Sequence, residues 1–282
     1  MTCESSAAAA PAPASAAPAA APRIVHAGCR VASIDVGVKK LGLAIVTTRG
    51  NPTRWRARGD TAEHAMVRFI EKNCYIEHIE NIDLMSYTRF SGKSGHKLRT
   101  MSASERSDMV IRGLVDPRLD LFGLRRSADG RLCGDPSLSA VVVETQPRFN
   151  PEMVVFSETI SATLYVLFEE VLRANVRVHG MTGKWKMDVC KLFAPLSNID
   201  QISARDKYEW NKRVSVATVD WLVSTIPGFM SARALAYLHS LPADKRRDVC
   251  DAVLQGVVMA WRLELSEMGR RPAARRGRGR GQ

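Results

Sequence analysis

The sequence predicts an α/β fold in which a mixed sheet is flanked by helices. Two apolar runs, at about residues 31–36 and 41–48, are joined through Gly37 as a hairpin. Strand-like runs come first and then alternate with helical patterns, an order typical of a sheet with helices packed on it. The 282 residues, 45% of them hydrophobic, can bury one sizeable core and an inserted segment.

Three further strands are predicted from the spacing of apolar residues. The segment from about residue 76 to 84 alternates apolar and polar residues, as a half-buried strand does. The run Ala140–Glu144 is apolar up to its last residue, and Val176–Gly180 is predicted as a short strand. With the hairpin, these runs make five strands.

Helices are predicted where apolar residues recur at three- and four-residue spacing. The three long segments of this kind are residues 152–175, 207–225 and 246–268. Earlier in the chain, Ser102 and Glu105 have the spacing of a capping box, and Pro117 is expected to break the helix that follows.

The composition divides the chain into one domain and two tails. Residues 1–22 are an Ala/Pro-rich tail and residues 269–282 an Arg/Gly-rich tail, and both are expected to be disordered. Residues 23–268 form the domain, with an inserted segment at about 86–135. We interpret the insertion as solvated filler, with contact to a bound partner as the alternative.

Four carboxylates stand where a buried, isolated charge would be costly. Asp35 ends the first strand, and Glu144 ends the apolar run that begins at Ala140. Asp248 and Asp251 lie three residues apart on one face of a predicted helix. We expect Asp35 on the exposed inside of the hairpin. Because Mg²⁺ prefers carboxylate oxygens, the four acids predict a two-Mg²⁺ phosphoryl-transfer site in which Mn²⁺ can substitute. The alternatives are a turn aspartate at position 35 and acids that complement a helix dipole at positions 248 and 251.

The charge of the chain favours a polyanionic partner. The formal net charge is +12, and the C-terminal tail contributes six arginines without an acid. Such a tail adds salt-sensitive affinity for nucleic acid, with a simple solubility tail as the alternative. Combined with a carboxylate site, the charge predicts DNA or RNA as the substrate class rather than a small molecule.

Cysteine usage and hydropathy predict an intracellular protein that is not secreted. The six cysteines form no Cys-x-x-Cys pair, so neither a zinc ribbon nor a disulfide framework is indicated. No apolar run approaches the roughly 20 residues that cross a bilayer, and residues 1–22 lack the basic start of a signal peptide.

Three motifs carry a resemblance to a known family. They are Ile34–Lys39, Val143–Arg148 with its Glu-x-Gln-Pro-Arg pattern, and the helical segment Asp244–Asp251. In this order and at these separations they resemble the RuvC-type Holliday-junction resolvases, most closely their poxvirus branch. The resemblance covers about residues 28–265 and implies a ribonuclease H-like mixed five-stranded sheet. It also implies a viral origin, with action at a cytoplasmic replication site.

The resemblance implies roles for individual residues. Asp35, Glu144, Asp248 and Asp251 would bind two Mg²⁺ ions. Lys212 would be the catalytic lysine, because the segment from Trp210 to Trp221 is similar to a Lys-rich helix start of the family; Lys184 and Lys186 are the alternatives. The residues expected to contact DNA are Gln146, Arg148, Phe149, Lys184, Lys186 and Arg213. For Phe149, a place in the core is the alternative.

The implied activity is Mg²⁺-dependent, structure-selective hydrolysis of four-way DNA junctions and branched replication products by paired cuts. Two-fold symmetry of a junction fits a homodimer, with the helix at 152–175 as its surface. The departures from the family pattern are Arg247 in place of an aspartate, Thr145 in place of an arginine, and the insertion.

Three other functions are compatible with parts of the pattern. A YqgF-like nuclease of the same fold shares the Asp-x-Gly-x-Lys-x-x-Gly-x-Ala pattern of Asp35–Ala44. A phosphotransferase of the actin and sugar-kinase superfamily also begins with Asp-x-Gly, but we find no second glycine-rich loop. A non-catalytic DNA-packaging or junction-binding protein would explain the charge and make the acids incidental.

Overall fold

The computed structural model describes residues 28–37, 39–49, 60–87, 98–193 and 207–270. Its main sheet has five strands in the order β3-β2-β1-β6-β7. The strands of the main sheet are β1 (Arg30–Asp35), β2 (Leu41–Thr48), β3 (Cys74–Ile82), β6 (Ala140–Thr145) and β7 (Arg177–Thr182). Strand β2 is antiparallel to both β1 and β3, whereas β6 is parallel to both β1 and β7. The predicted mixed five-stranded α/β sheet is therefore confirmed.

Helices cover both faces of this sheet. Their bounds are α1 (Ala62–Asn73), α2 (Ala103–Val110), α3 (Leu119–Phe122), α4 (Pro151–Tyr165), α5 (Lys184–Phe193), α6 (Lys207–Thr225), α7 (Ala232–Ser240) and α8 (Ala243–Arg270). A π-helical turn, Val166–Val171, extends α4, and another, Ile111–Val115, extends α2. The predicted capping box is confirmed, because Ser102 accepts from the Glu105 backbone and Glu105 accepts from the Ser102 backbone.

The alternation of β1 divides the core into two layers. Val31 faces the layer formed with α1, α5, α6, α7 and α8, and its neighbours Ala32 and Ile34 face the layer formed with α2 and α4. Successive strand side chains point to opposite faces, so a wholly apolar strand such as β1 or β6 is the pattern expected when both faces are covered.

The interpretation of the insertion as solvated filler is wrong for its described part, residues 98–135. Met109, Leu114 and Phe122 are at most 2% exposed and belong to the second core layer. Residues 116–122 are also tied to the sheet: Arg118 donates through two nitrogens to Glu80 of β3, and Arg30 of β1 donates to the carbonyl of Leu121 at 2.8 Å. A short hairpin of β4 (Leu124–Arg126) and β5 (Leu132–Gly134) completes the segment.

The long helix α8 lies unusually close to the sheet because one glycine of β2 faces the helix and one glycine of α8 faces the strand. A Cβ on Gly42 of β2 would lie 2.3 Å from the carbonyl oxygen of Asp248. A Cβ on Gly256 of α8 would lie 2.5 Å from a methyl carbon of Val46. Both distances are far shorter than an ordinary contact of about 3.5 Å, so only glycine permits this approach.

Several elements were not predicted from the sequence, namely α1, α5, α7 and the β4–β5 hairpin. The predicted tail 1–22 lies outside the described residues, as does the C-terminal tail except for Gly269 and Arg270, which end α8. The domain boundaries stay predictions. Among the described residues, none of the helices combines the length and apolarity that a bilayer crossing requires.

Candidate active site

The first two acids leave the sheet side by side because their strands are parallel neighbours. Ile34 of β1 pairs with Val143 of β6, so the next residues, Asp35 and Glu144, lie at the same end of the two strands. Asp35 is 3% exposed, and the expectation that it lies on the exposed inside of the hairpin is wrong. Helix α8 packs on β1, and Lys186 of α5 and Lys212 of α6 contact the carboxylate.

The other two acids reach the same place from α8. This helix packs against β1 and β2, and the missing side chain at Gly42 lets the backbone of Asp248 rest on β2. Asp248 and Asp251 lie near its beginning, on the face turned toward Asp35. Asp251 is wholly buried, whereas Asp248 is partly accessible.

Lys212 of α6 connects three of the acids. Its Nζ lies 3.3 Å from Asp35 Oδ2, 3.0 Å from Asp248 Oδ1 and 2.5 Å from Asp251 Oδ2. Two of these contacts, to Asp35 and Asp248, have hydrogen-bond geometry. The sequence predicted Lys212 as the lysine of the site from the resemblance, and the structure brings it to the acids.

Lys186 of α5 connects an overlapping set of three. Its Nζ lies 2.8 Å from Asp251 Oδ2, 3.2 Å from Glu144 Oε1 and 3.9 Å from Asp35 Oδ1. The residue is 7% exposed. Two ammonium groups therefore stand among four carboxyl groups, and each ammonium has three acidic neighbours.

Burial and charge set the protonation of the cluster. Burial raises the pKa of Asp35, but the ammonium groups of Lys186 and Lys212 outweigh it and lower that pKa to about 2. Burial and the charge of Asp35 raise the pKa of Glu144 to about 8, so Glu144 holds a proton at neutral pH and shares it with Asp35. Burial lowers the pKa of each lysine, but the neighbouring acids raise it further, so both lysines stay charged.

The residues of this cluster fit a divalent-metal site in kind. Four carboxyl groups supply the hard oxygen ligands that Mg²⁺ prefers, and among the described residues Asp251 Oδ1 is buried without a hydrogen-bond partner. The carboxylate oxygens lie 2.5 to 3.9 Å from a lysine Nζ, however, which is the spacing of ion pairs. Mg²⁺ to oxygen distances are about 2.1 Å. In the described residues no three acidic, histidine or cysteine side chains enclose a metal position at the present spacing.

Two residues that the sequence analysis did not select support the cluster. A Cβ on Gly183 would lie 2.9 Å from Glu144 Oε1, so a larger residue in the turn between β7 and α5 would displace this carboxyl group. Gly42 has the same role beneath Asp248. A glycine inside an apolar strand is a known sign of close backbone approach, and this signal could have identified Gly42.

The residues predicted to contact DNA fall into two groups. Gln146 donates to Glu144 Oε2 at 3.0 Å, and Lys186 is buried in the cluster. Arg148, Phe149 and Lys184 are exposed. Because Phe149 is 88% exposed, the alternative that it fills the core is wrong. Arg213 is exposed on α6 and pairs with Glu209.

Comparison with known proteins places the fold. No protein-family model matches the chain, and no curated protein matches it in sequence. Among solved structures, the yeast mitochondrial Holliday junction resolvase Ydc2 aligns with 87% of this chain and 83% of its own, at a TM-score of 0.51 and 15% identity. The chain shares the fold of this structure. The resemblance to Holliday-junction resolvases is thereby confirmed at the level of architecture, as is the predicted mixed five-stranded sheet.

Two more distant structures also align. A fowlpox virus resolvase, solved with Holliday junction DNA, has a TM-score of 0.40 and 12% identity over 83% of this chain and 98% of its own. Thermus thermophilus RuvC has a TM-score of 0.40 and 14% identity over 85% of this chain and 96% of its own.

Proposed function

We propose that this protein is a divalent-metal-dependent endonuclease that resolves four-way DNA junctions and related branched DNA. One observation carries the proposal: four acids from three separate elements surround the ammonium groups of Lys186 and Lys212. The acids are Asp35, Glu144, Asp248 and Asp251. Four acids and two lysines meet in this one cluster, and the pKa values of Asp35 and Glu144 are shifted in opposite directions. Such a concentration of perturbed groups is typical of a catalytic site.

The four acids would hold two Mg²⁺ ions, with Mn²⁺ as a substitute. When bound, such ions supply an activated water and stabilise the leaving oxygen of a phosphodiester. In the metal-free protein, Asp35 and Asp251 contact the ammonium groups of both Lys186 and Lys212. Glu144 contacts Lys186 and Asp248 contacts Lys212.

Lys212 acts on the phosphate in this proposal. Its ammonium is charged and reaches the partly accessible acid Asp248, at the side of the cluster open to a substrate. An ammonium there donates to a phosphate oxygen as negative charge develops during hydrolysis. Lys184 and Lys186 are the alternatives for this role.

The DNA would lie across the end of the sheet. Arg148 can pair with a backbone phosphate, and the exposed ring of Phe149 can stack on an unpaired base at the junction centre. Gln146 contacts Glu144 of the same site, and exposed Lys184 and Arg213 are the further residues proposed to contact DNA. These contacts are compatible with the net charge of +12.

A homodimer would place two such sites on opposite strands of one junction. The surface we propose is the helix α4 with its π-helical extension, where Val155, Tyr165, Val166 and Val171 are exposed by 43 to 62%. Apolar side chains of this size at one surface are typical of an interface. Sedimentation analysis of the free protein is expected to give a dimer, and a monomer at micromolar concentration would contradict this part of the proposal.

The nuclease proposal is tested with a labelled four-way junction incubated in Mg²⁺, in Mn²⁺ and in EDTA. We expect symmetric cuts with either metal, none in EDTA, and none with Asp35→Asn at unchanged junction affinity. Binding without cleavage in every condition would show a packaging or junction-binding protein instead. Equal cleavage of linear duplex would favour a less selective nuclease of the same fold. For a viral enzyme of the poxvirus type, the expected place of action is the cytoplasm.

A further inference from the structure

Lys186 occupies a position that its own chemistry does not favour. Its side chain is 8% exposed, and a buried ammonium is costly unless it is paired. All three of its partners, Asp35, Glu144 and Asp251, are acids of the proposed metal site. The turn before α5 approaches Glu144 at Gly183, where a Cβ would lie 3.8 Å from the nitrogen of Lys186.

The two lysines together reproduce the connectivity of a two-cation centre. Lys186 joins Asp35, Glu144 and Asp251, and Lys212 joins Asp35, Asp248 and Asp251. Asp35 offers Oδ1 to one ammonium and Oδ2 to the other, while both meet Asp251 Oδ2. Each ammonium thus has three acidic partners, two of them shared, which is also how two metal ions are commonly bridged.

We propose that Lys186 is a built-in counter-ion: it holds Asp35, Glu144 and Asp251 together in the metal-free protein and withdraws when a divalent cation is bound among them. The inference rests on the proposed function only in taking these acids as metal ligands. An ammonium and a divalent cation cannot share the same three oxygens, because their charges repel and metal–oxygen distances of about 2.1 Å leave no room. The flexible four-carbon stem of lysine lets the charged group move to water.

Two consequences follow for the protein without DNA. Lys186 stabilises the metal-free cluster, since without it Lys212 would be the one ammonium of the cluster beside the four acids. It also weakens metal affinity, because its contacts to Asp35, Glu144 and Asp251 must break before these acids can close on a cation.

The first test compares Lys186→Met with Lys191→Met, a matched change on the exposed side of the same helix, where the lysine is 70% exposed. Calorimetric titration of each full-length protein with Mn²⁺, without DNA, is expected to show about tenfold tighter binding in Lys186→Met. In EDTA, this variant should also melt at a lower temperature than the wild type. Addition of Mn²⁺ should raise its Tm by more than it raises the Tm of the wild type. Unchanged or weaker Mn²⁺ binding in Lys186→Met would overturn the proposal.

A second test needs no variant, so it remains decisive if Lys186→Met does not fold. Wild-type protein is reductively methylated under native conditions in EDTA or in Mn²⁺, and the modified lysines are quantified by mass spectrometry. We expect methylation of Lys186 to rise severalfold with Mn²⁺ and that of Lys191 to stay constant. Equal or lower modification of Lys186 in Mn²⁺ would refute its withdrawal. If both tests give the expected results but the protein cuts no junction, the counter-ion role of Lys186 stands and the proposed nuclease function is wrong.

Discussion

The substitution Gly42→Ala tests whether the distance between α8 and the sheet sets the activity. A Cβ at this position would lie 2.3 Å from the carbonyl oxygen, 2.6 Å from the carbonyl carbon of Asp248 and 3.1 Å from the nitrogen of Val249. All three atoms belong to the backbone, so no side-chain rotation can relieve the contact. The first turns of α8 must therefore move away from β2.

The size of the movement follows from these distances. An ordinary nonbonded contact is about 3.5 Å, so the helix must shift by about 1 Å at Asp248. Overpacking of this kind destabilises a protein by about 1–3 kcal/mol, which lowers Tm by several degrees for a domain of this size. A misplacement of about 1 Å at a reacting centre can reduce the rate by about 100-fold. We expect a folded protein with a large loss of activity.

The assay is single-turnover cleavage of a four-way junction in Mg²⁺, beside thermal melting. Gly256→Ala is the matched control, because its Cβ would meet a methyl carbon of Val46 at 2.5 Å, on the same helix but two turns beyond Asp248. It should cost similar stability and much less activity. If Gly42→Ala cleaves at the wild-type rate, or if both variants lose equal activity, the position of Asp248 does not control the reaction as we infer.

Three further changes have definite expected outcomes. Lys212→Met should lower single-turnover cleavage by about 100-fold with junction affinity nearly unchanged, because a donor to the developing charge is lost. Phe149→Ala should weaken junction binding by about 5- to 100-fold in a gel-shift assay without changing Tm, because the ring is 88% exposed and packs on nothing in the core. Glu80→Gln should lower the free energy of unfolding in urea by about 1–3 kcal/mol at pH 7, because buried Arg118 loses its carboxylate partner and keeps only backbone carbonyl acceptors among the described residues. Burial raises the pKa of Glu80, but hydrogen bonds from His78 and Arg118 outweigh it and lower that pKa to about 2, so its contribution is complete above about pH 4.5 and declines as the pH falls toward 2.

Each of these expectations has an opposite result that would reject it. Wild-type cleavage by Lys212→Met would leave Lys184 or Lys186 as the lysine that acts on phosphate. A lower Tm in Phe149→Ala would indicate a packing role. For Glu80→Gln, a destabilisation that grows between pH 7 and pH 3 would mean that the carboxylate is not the stabilising form.

The acids of the candidate site could be selected from the sequence because their signal is local. An apolar strand that ends on a carboxylate is visible at Asp35 and Glu144 without knowledge of the fold, and the three-residue spacing of Asp248 and Asp251 places them on one helix face. That the strands carrying the first two acids are parallel neighbours is a long-range property. The sequence analysis did not predict it, and the structure shows it in the parallel pairing of Ile34 with Val143.

The burial of the site could not be predicted in this way. Lys186 belongs to α5, a ten-residue helix that the sequence analysis did not define, and its contacts with acids of β1, β6 and α8 arise only from tertiary packing. The same packing covers Asp35, which is why the expectation of an exposed aspartate was wrong. For the insertion, Arg118 joins the described part to β3 through Glu80, a pairing across 38 residues that no local pattern indicates.

The placement of the acids on β1 and α8 has a consequence for the timing of activity. Asp35 and Asp248 are 213 positions apart (35 to 248), and the sheet end they share is complete only when α8 has docked through Gly42 and Gly256. During synthesis, a nascent polypeptide that has released β1, β6 and α5 but not its last long helix lacks half of the carboxylates. Under the proposed function, cleavage of DNA would therefore begin only after α8 has docked on the sheet.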